Sequence, residues 1–182
     1  MKFTKYEKYG PYHWYFYEQG TKYKGHVDRI VEWVKEKYLL DIGAGDGLIS
    51  AKLRDAGHEV TSIDDEPSAV KCAQDRGVNV IQMDARHLLF QPDSFEAVLM
   101  IDVLEHFEKP LMALNEAKRV SSGPLYIVTP PKRDDGKLTD KFHYVEWTPD
   151  ELKALVESVG YKLEGEIKVM TEEKFMYAKF VQ

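Results

Sequence analysis

An α/β three-layer sandwich on a mostly parallel, seven-stranded sheet is the fold this chain predicts, and three observations carry it. Apolar strand-like runs alternate with helical patterns from about residue 27 to the end. The first run leads straight into a glycine turn, Gly43-Ala44-Gly45-Asp46-Gly47. A largely apolar run, Phe95–Ile101, suits a parallel strand buried on both faces.

The elements follow in order. Val27, Ile30, Val31 and Val34 have the spacing of an amphipathic helix. Tyr38–Ile42 reads as a strand, then Leu48–Ala56 as a helix with Gly57 as its stop. Glu59–Ile63 is a strand, Pro67–Asp75 a helix with proline in its first turn, and Val78–Met83 a strand. After Phe95–Ile101 come a helix at Leu111–Val120, a strand at Pro124–Thr129 and a long polar loop, Pro130–Trp147. Thr148-Pro149-Asp150-Glu151 has the cap, the proline and the acids of a helix start, and Gly160 ends that helix. Tyr161–Val169 and Glu173–Phe180 are close enough to pair as a hairpin, which makes one strand antiparallel. Residues 1–25 stand apart as an aromatic-rich segment broken at Gly10-Pro11, and residues 26–182 form the main domain.

Composition narrows the function. The 182 residues are enough for one domain with a real core. With 25 basic against 31 acidic residues, net −6, the chain is not tuned for sequence-independent polyphosphate binding, so a nucleic-acid partner is disfavoured. Cys72 is the single cysteine, which allows no intrachain disulfide and fits a reducing compartment. The opening residues lack the apolar core of a secretory signal, and no apolar run approaches the roughly 20 residues of a membrane span. A cytoplasmic protein without a membrane partner is expected.

Chemistry is expected at the carboxyl ends of the strands. Asp41-x-Gly43-x-Gly45-x-Gly47 lets backbone approach a ligand closely, and Ala44 lies within the turn. Leu48 stands where the dinucleotide fingerprint needs its third glycine, which argues against a nicotinamide dehydrogenase. Asp41 suits a ligand's amine or sulfonium cation better than a pyrophosphate. Asp64, with Asp65 after it, ends the second strand about 20 residues on, where an acid holds ribose hydroxyls. Asp84, followed by Ala85, ends the third strand and can accept from an exocyclic adenine amine.

These segments resemble the class I S-adenosylmethionine-dependent methyltransferases from about residue 38 to the terminus. LLDIGAGDG matches that family's glycine motif, VTSIDDEPSAVKCA its ribose-acid strand, VIQMDARHLLF its adenine turn and FEAVLMIDVLEHFEKP its fourth strand and exit. GPLYIVTPP and HYVEWTPDELKALVESVGYKLE match members with a short lid after strand five. The resemblance implies a Rossmann-like sheet and S-adenosylmethionine as cofactor, with S-adenosylhomocysteine as product. It places Gly43 and Gly45 around the methionine moiety, Asp64 at the ribose, and Asp84 with Ala85 at the adenine. Ile101 and Asp102 would lie near the methionine portion or the sulfonium. The implied activity is methyl transfer to a small-molecule oxygen, nitrogen or carbon, with no metal expected. A non-catalytic cofactor binder is the alternative outside enzymology.

On the acceptor side His106, at the fourth-strand exit, and His143, on the long loop, are the candidate proton acceptors. Asp102, Glu105, His106 and His143 also have the spacing of the metal-binding set in small-RNA 3′-end 2′-O-methyltransferases, which defines a metal-dependent alternative. Two departures count against it: Asp stands first where that family has Glu, and the loop reads TPPKRDDG without an Asn-Glu-Phe-Asn signature. The aromatics Tyr6, Tyr9 and Tyr12-His13-Trp14-Tyr15-Phe16-Tyr17 read either as a lid over the acceptor or as a helix packed on the sheet edge. Either that segment or a second subunit roofs the site, so monomer and homodimer stay open.

Overall fold

Strand formation at the centre of the chain follows from burial on both faces. The computed structural model describes residues 4–172 and 174–182. Residues 1–3 of the aromatic segment, and Glu173 at the expected start of the last strand, lie outside the described residues. The described strands are β1 (Tyr38–Ile42), β2 (Glu59–Asp64), β3 (Ile81–Gln82), β4 (Ala97–Ile101), β5 (Leu125–Thr129), β6 (Lys162–Leu163), β7 (Lys168–Met170) and β8 (Phe175–Val181). Every residue of β4 and β5 is buried. Their side chains alternate between two cores, as the two-residue period of a strand requires. Leu40, Ile42, Val98, Met100, Leu125 and Ile127 point into one core. Leu39, Ala97, Leu99, Ile101, Tyr126 and Val128 point into the other.

Helices cover both faces. They are α1 (Lys5–Tyr9), α2 (Tyr12–Glu18), α3 (Lys22–Trp33), α4 (Leu48–Asp55), α5 (Pro67–Asp75), α6 (Pro110–Val120) and α7 (Pro149–Glu157). Residues of α6 and α7 fill the first core, and Ile30 of α3 and Leu53 of α4 fill the second. A third, smaller cluster joins Val70 and Ala73 of α5 to Val78, Val80 and Ala51 of α4. The helix start at Thr148 is a full capping box, with Thr148 and Glu151 bonding each other's backbone amides.

The sheet order is β3-β2-β1-β4-β5-β8-β6, with β7 also paired to β8. Pairings from β3 through β5 are parallel, and β8 runs antiparallel to β5, β6 and β7. The three-layer, mostly parallel architecture with one antiparallel strand near the C-terminus is therefore present, with eight strands in place of the expected seven because the next-to-last one is broken in two. Two boundaries differ from expectation. The strand expected at Val78–Met83 shrinks to Ile81–Gln82, because Val78 and Val80 are drawn into the α5 cluster. The strand expected at Tyr161–Val169 is broken into β6 and β7, with Gly165 between them at φ 74°. The order reverses between β1 and β4, so the ends of those strands open the crevice where a ligand is expected. No helix of the described residues is long and apolar enough to cross a membrane.

Candidate active site

The glycine turn is a backbone structure held by its neighbours. Gly43 and Ala44 N–H groups both donate to the Ile63 carbonyl at 2.9 Å, and Gly45 N–H donates to Asp64 Oδ2 at 2.8 Å. Gly43 and Gly45 have φ values of 76° and 58°, in the left-handed region that a side chain strains. A Cβ at Gly43 would collide with Val103 Cγ2, and one at Gly45 with the Tyr6 hydroxyl. The turn is thus kept bare both by its backbone angles and by close packing.

Around it opens a cavity of about 690 Å³, within the range of about 300–1,000 Å³ usual for ligand pockets. Gly43, Ala44, Gly45, Asp64, Asp65, Ala85, Ile101 and Asp102 line it. Burial pushes the Asp64 carboxyl up to about 6, against the pull of the Glu66 and Gly45 amides that it accepts. Burial likewise raises Asp65, with the Asp84 charge adding to the effect. Asp102 leaves β4 with φ 53°, a conformation rare for a residue with a side chain.

Two expected contacts lie elsewhere. Asp41 is 2% exposed and does not line the cavity; its carboxylate accepts from Ser50 Oγ at 2.5 Å beneath the turn. Burial raises that carboxyl to about 6. Asp84 is also off the cavity wall, because Arg86 forks onto its carboxylate at 2.7 to 3.1 Å and holds it below the usual range. Arg86 takes the wall position in its place.

The opposite wall comes from the short 3-10 turn Leu104–His106 after β4 and from the loop that follows β5. That loop is pinned at its base, where Lys132 N–H donates to the Trp147 carbonyl at 2.8 Å. Its far part returns over the cavity, and Tyr144 N–H donates to the Glu105 carbonyl at 2.8 Å. Glu105, His106 and His143 meet here, each offering a ligand atom within 4.8 Å of the others. Asp102, expected as a fourth member, is not in that group. Burial, reinforced by the Asp102 charge, pushes the Glu105 carboxyl up to about 8, and it accepts from Thr129 Oγ1 at 2.9 Å. Burial lowers His106 to about 4; its Nδ1 lies 3.1 Å from the Phe142 carbonyl, so Nδ1–H is the donor there. His143 Nδ1 sits 2.6 Å from Glu146 Oε1, which also accepts from Thr139 N–H at 2.7 Å.

The aromatic segment closes the remaining side. It folds as two short helices separated at Gly10-Pro11, and Tyr6, Tyr12, His13 and Phe16 line the cavity. It is fastened to the glycine turn through Asp46: His13 N–H donates to Asp46 Oδ2 at 3.0 Å and Trp14 Nε1–H to the Asp46 carbonyl at 2.8 Å. On the other side Lys5 pairs with Asp140 of the long loop at 2.5 Å. Packing and covering are therefore done by the same residues. Asp46 on the cavity wall and, behind it, His26 and Glu146 are residues to which motif reading gave no role of their own. A histidine on the buried stripe of α3, and acids within a glycine turn and before a buried tryptophan, were the available signals.

Residues 40–126 match the protein family described as a methyltransferase domain. Over 100 residues the chain is 33% identical to the ubiquinone biosynthesis O-methyltransferase of Xanthomonas campestris pv. campestris (strain B100), a match covering 50% of this chain and 42% of that protein. The Xylella fastidiosa (strain 9a5c) enzyme of the same name is also 33% identical, with 41% of its length covered. The chain thus spans under half the length of the curated relatives it matches. Among solved structures, magnesium protoporphyrin IX methyltransferase from Synechocystis PCC 6803, with bound S-adenosylmethionine, superposes with a TM-score of 0.74 at 18% identity, covering 98% of this chain and 93% of that one. A S-adenosylmethionine-dependent methyltransferase from Aquifex aeolicus gives 0.71 at 18% identity, covering 85% and 88%. Residues 40–126 thus match a methyltransferase domain, and the chain has the fold seen in S-adenosylmethionine-dependent methyltransferases of known structure.

Proposed function

We propose that this chain transfers the methyl group of S-adenosylmethionine to an oxygen of a small, flat acceptor. The observation that carries the reading is one cavity with two kinds of wall: glycine turn, Asp64 and Ala85 on one side, His106 and His143 on the other. The residues present fit the cofactor. Bare backbone at Gly43 and Gly45 admits its methionine portion, Asp64 and Asp65 offer carboxylates to the ribose, and Met83 and Ala85 give the adenine an apolar seat. Asp102 faces the positively charged end. Bound there, the cofactor supplies a methyl group on a sulfonium.

The protein's own part is placement and proton removal. Tyr12 and Phe142 line the cavity, where aromatic rings can pack on a flat acceptor. His143 takes the acceptor proton at Nε2, because Glu146 accepts from its Nδ1–H and fixes that tautomer. His106 is too weak a base near neutral pH and helps to shape the acceptor side of the cavity. The residues of the long loop and the aromatic segment keep water from the reacting atoms. The curated relatives named as O-methyltransferases support an oxygen acceptor.

A metal-dependent transfer is the second reading, favoured by the approach of Glu105, His106 and His143. A carboxylate behind a histidine, as Glu146 stands behind His143, is the usual support of a metal-binding imidazole. One experiment separates the readings. The protein is incubated with methyl-labelled S-adenosylmethionine and a cell extract divided into RNA, protein and small-molecule fractions, with and without chelator. Label in small molecules regardless of chelator supports the first reading. Chelator-sensitive label, above all on RNA ends, supports the second, and cofactor binding without label in any fraction contradicts both.

A further inference from the structure

Behind the cavity wall, three elements meet on one side chain that neither motif nor fold singles out. His26 of α3 is 1% exposed, its ring packed 4.4 Å from that of Phe175 and 5.3 Å from that of Tyr23. Its Nδ1 lies 2.7 Å from the hydroxyl of Tyr177 on β8, and its Nε2 lies 3.3 Å from Asp102 Oδ2 at the exit of β4. Nε2 is not aligned for a hydrogen bond, and the other oxygen, Asp102 Oδ1, is buried with no partner among the described residues. Buried polar atoms are rarely left so unless something else completes them. Hydrogen bonds at reactive sites are often long or misaligned before the ligand arrives.

We infer that Tyr177 and His26 are positioning residues that hold the Asp102 carboxylate ready for the positively charged amine of the cofactor. The inference rests on the cofactor reading given above. When the Tyr177 hydroxyl donates to Nδ1, the neutral imidazole carries its proton on Nε2, facing Asp102. With its buried side held by His26, the Asp102 carboxylate, 23% exposed at the cavity, is fixed in the direction of the amine. Packing against Phe175 and Tyr23 locks the ring, so the α3–β8 contact fixes the direction of a group on β4.

The test is calorimetric titration of S-adenosylhomocysteine, which retains that amine, into the wild type and into H26L, H26Q, Y177F, D102N and the H26L/D102N pair, with melting temperatures alongside. A hydrogen bond to a charged group is worth about 10- to 100-fold in affinity, and H26L and D102N are each expected to lose that much. The double variant should lose no more than either single one, because the two residues act as a unit. H26Q, whose amide N–H replaces Nε2–H, should recover most of the affinity, and Y177F should lose part of it with its ring packing intact. If H26L does not melt cooperatively, H26Q and Y177F decide. Wild-type affinity in H26L or Y177F, or losses in H26L and D102N that simply add, would overturn the inference while leaving cofactor binding in place. No binding by the wild type would overturn the cofactor reading, and this inference with it.

Discussion

The wall of the cavity formed at the ends of β1 and β2 is made chiefly of backbone, whereas the wall formed by residues 5–18 and 139–146 is made of side chains. On the first wall the Gly43, Ala44 and Gly45 N–H groups donate hydrogen bonds to Ile63 and Asp64, all within one stretch of sequence. On the second, Lys5 pairs with Asp140, Tyr144 bonds Glu105, and His106 meets His143, across tens of residues. A backbone site accepts one shape of ligand and tolerates little change. A side-chain site on loops can be altered one residue at a time, which is how one fold comes to serve many acceptors.

The sharpest way to break the comparison is Gly43→Val. The new side chain would collide with Val103 and force a β-branched residue to φ 76°. Overpacking and left-handed strain together predict a loss of about 2–5 kcal/mol, with S-adenosylhomocysteine binding abolished. Thermal unfolding and calorimetry measure both. Unchanged binding in a folded variant would mean that the turn does not meet the ligand.

His143→Ala probes the other wall. It should cut label transfer about 100-fold or more, as loss of a general base does, while S-adenosylhomocysteine binds as before. Equal losses of binding and turnover would show that the walls are not separable.

A smaller effect concerns pH. Glu105 keeps its proton in the folded protein up to about 8, whereas the unfolded chain loses it near 4.5. Between those values the unfolded state binds fewer protons, so stability falls as pH rises through the window and the loss is complete above it. Glu105→Gln removes that slope and should stabilise the protein at pH 8.5 by about 1 kcal/mol or more, with little change at pH 4. Denaturant midpoints at the two pH values test it. The smallest effect belongs to Lys5→Ala. Its partly exposed pair with Asp140 is worth under about 1 kcal/mol, and any shift in melting temperature should shrink in high salt.

The same contrast explains what could be read in advance. Strand alternation, the glycine turn and the Thr148 capping box depend on neighbours within a few residues, and motif reading finds them. Val78 and Val80 read as strand but are captured by α5, and the last hairpin hides a break at Gly165. Those outcomes depend on tertiary packing and on one backbone angle. Asp84 looked free to bind a base until Arg86, two residues on, claimed its carboxylate. The roles of Tyr6 above Gly45, of Asp46 beneath His13 and Trp14, and of His26 beside Asp102 exist only once the chain has folded.

Whether the backbone wall holds S-adenosylmethionine is the central claim, and a melting experiment with S-adenosylhomocysteine meets it most directly. A ligand specific for the folded state must stabilise it, by about 2.7 kcal/mol at 100 times its dissociation constant. The account predicts a concentration-dependent rise in Tm with S-adenosylhomocysteine and none with NAD. No rise with S-adenosylhomocysteine, or a rise with NAD alone, would contradict it.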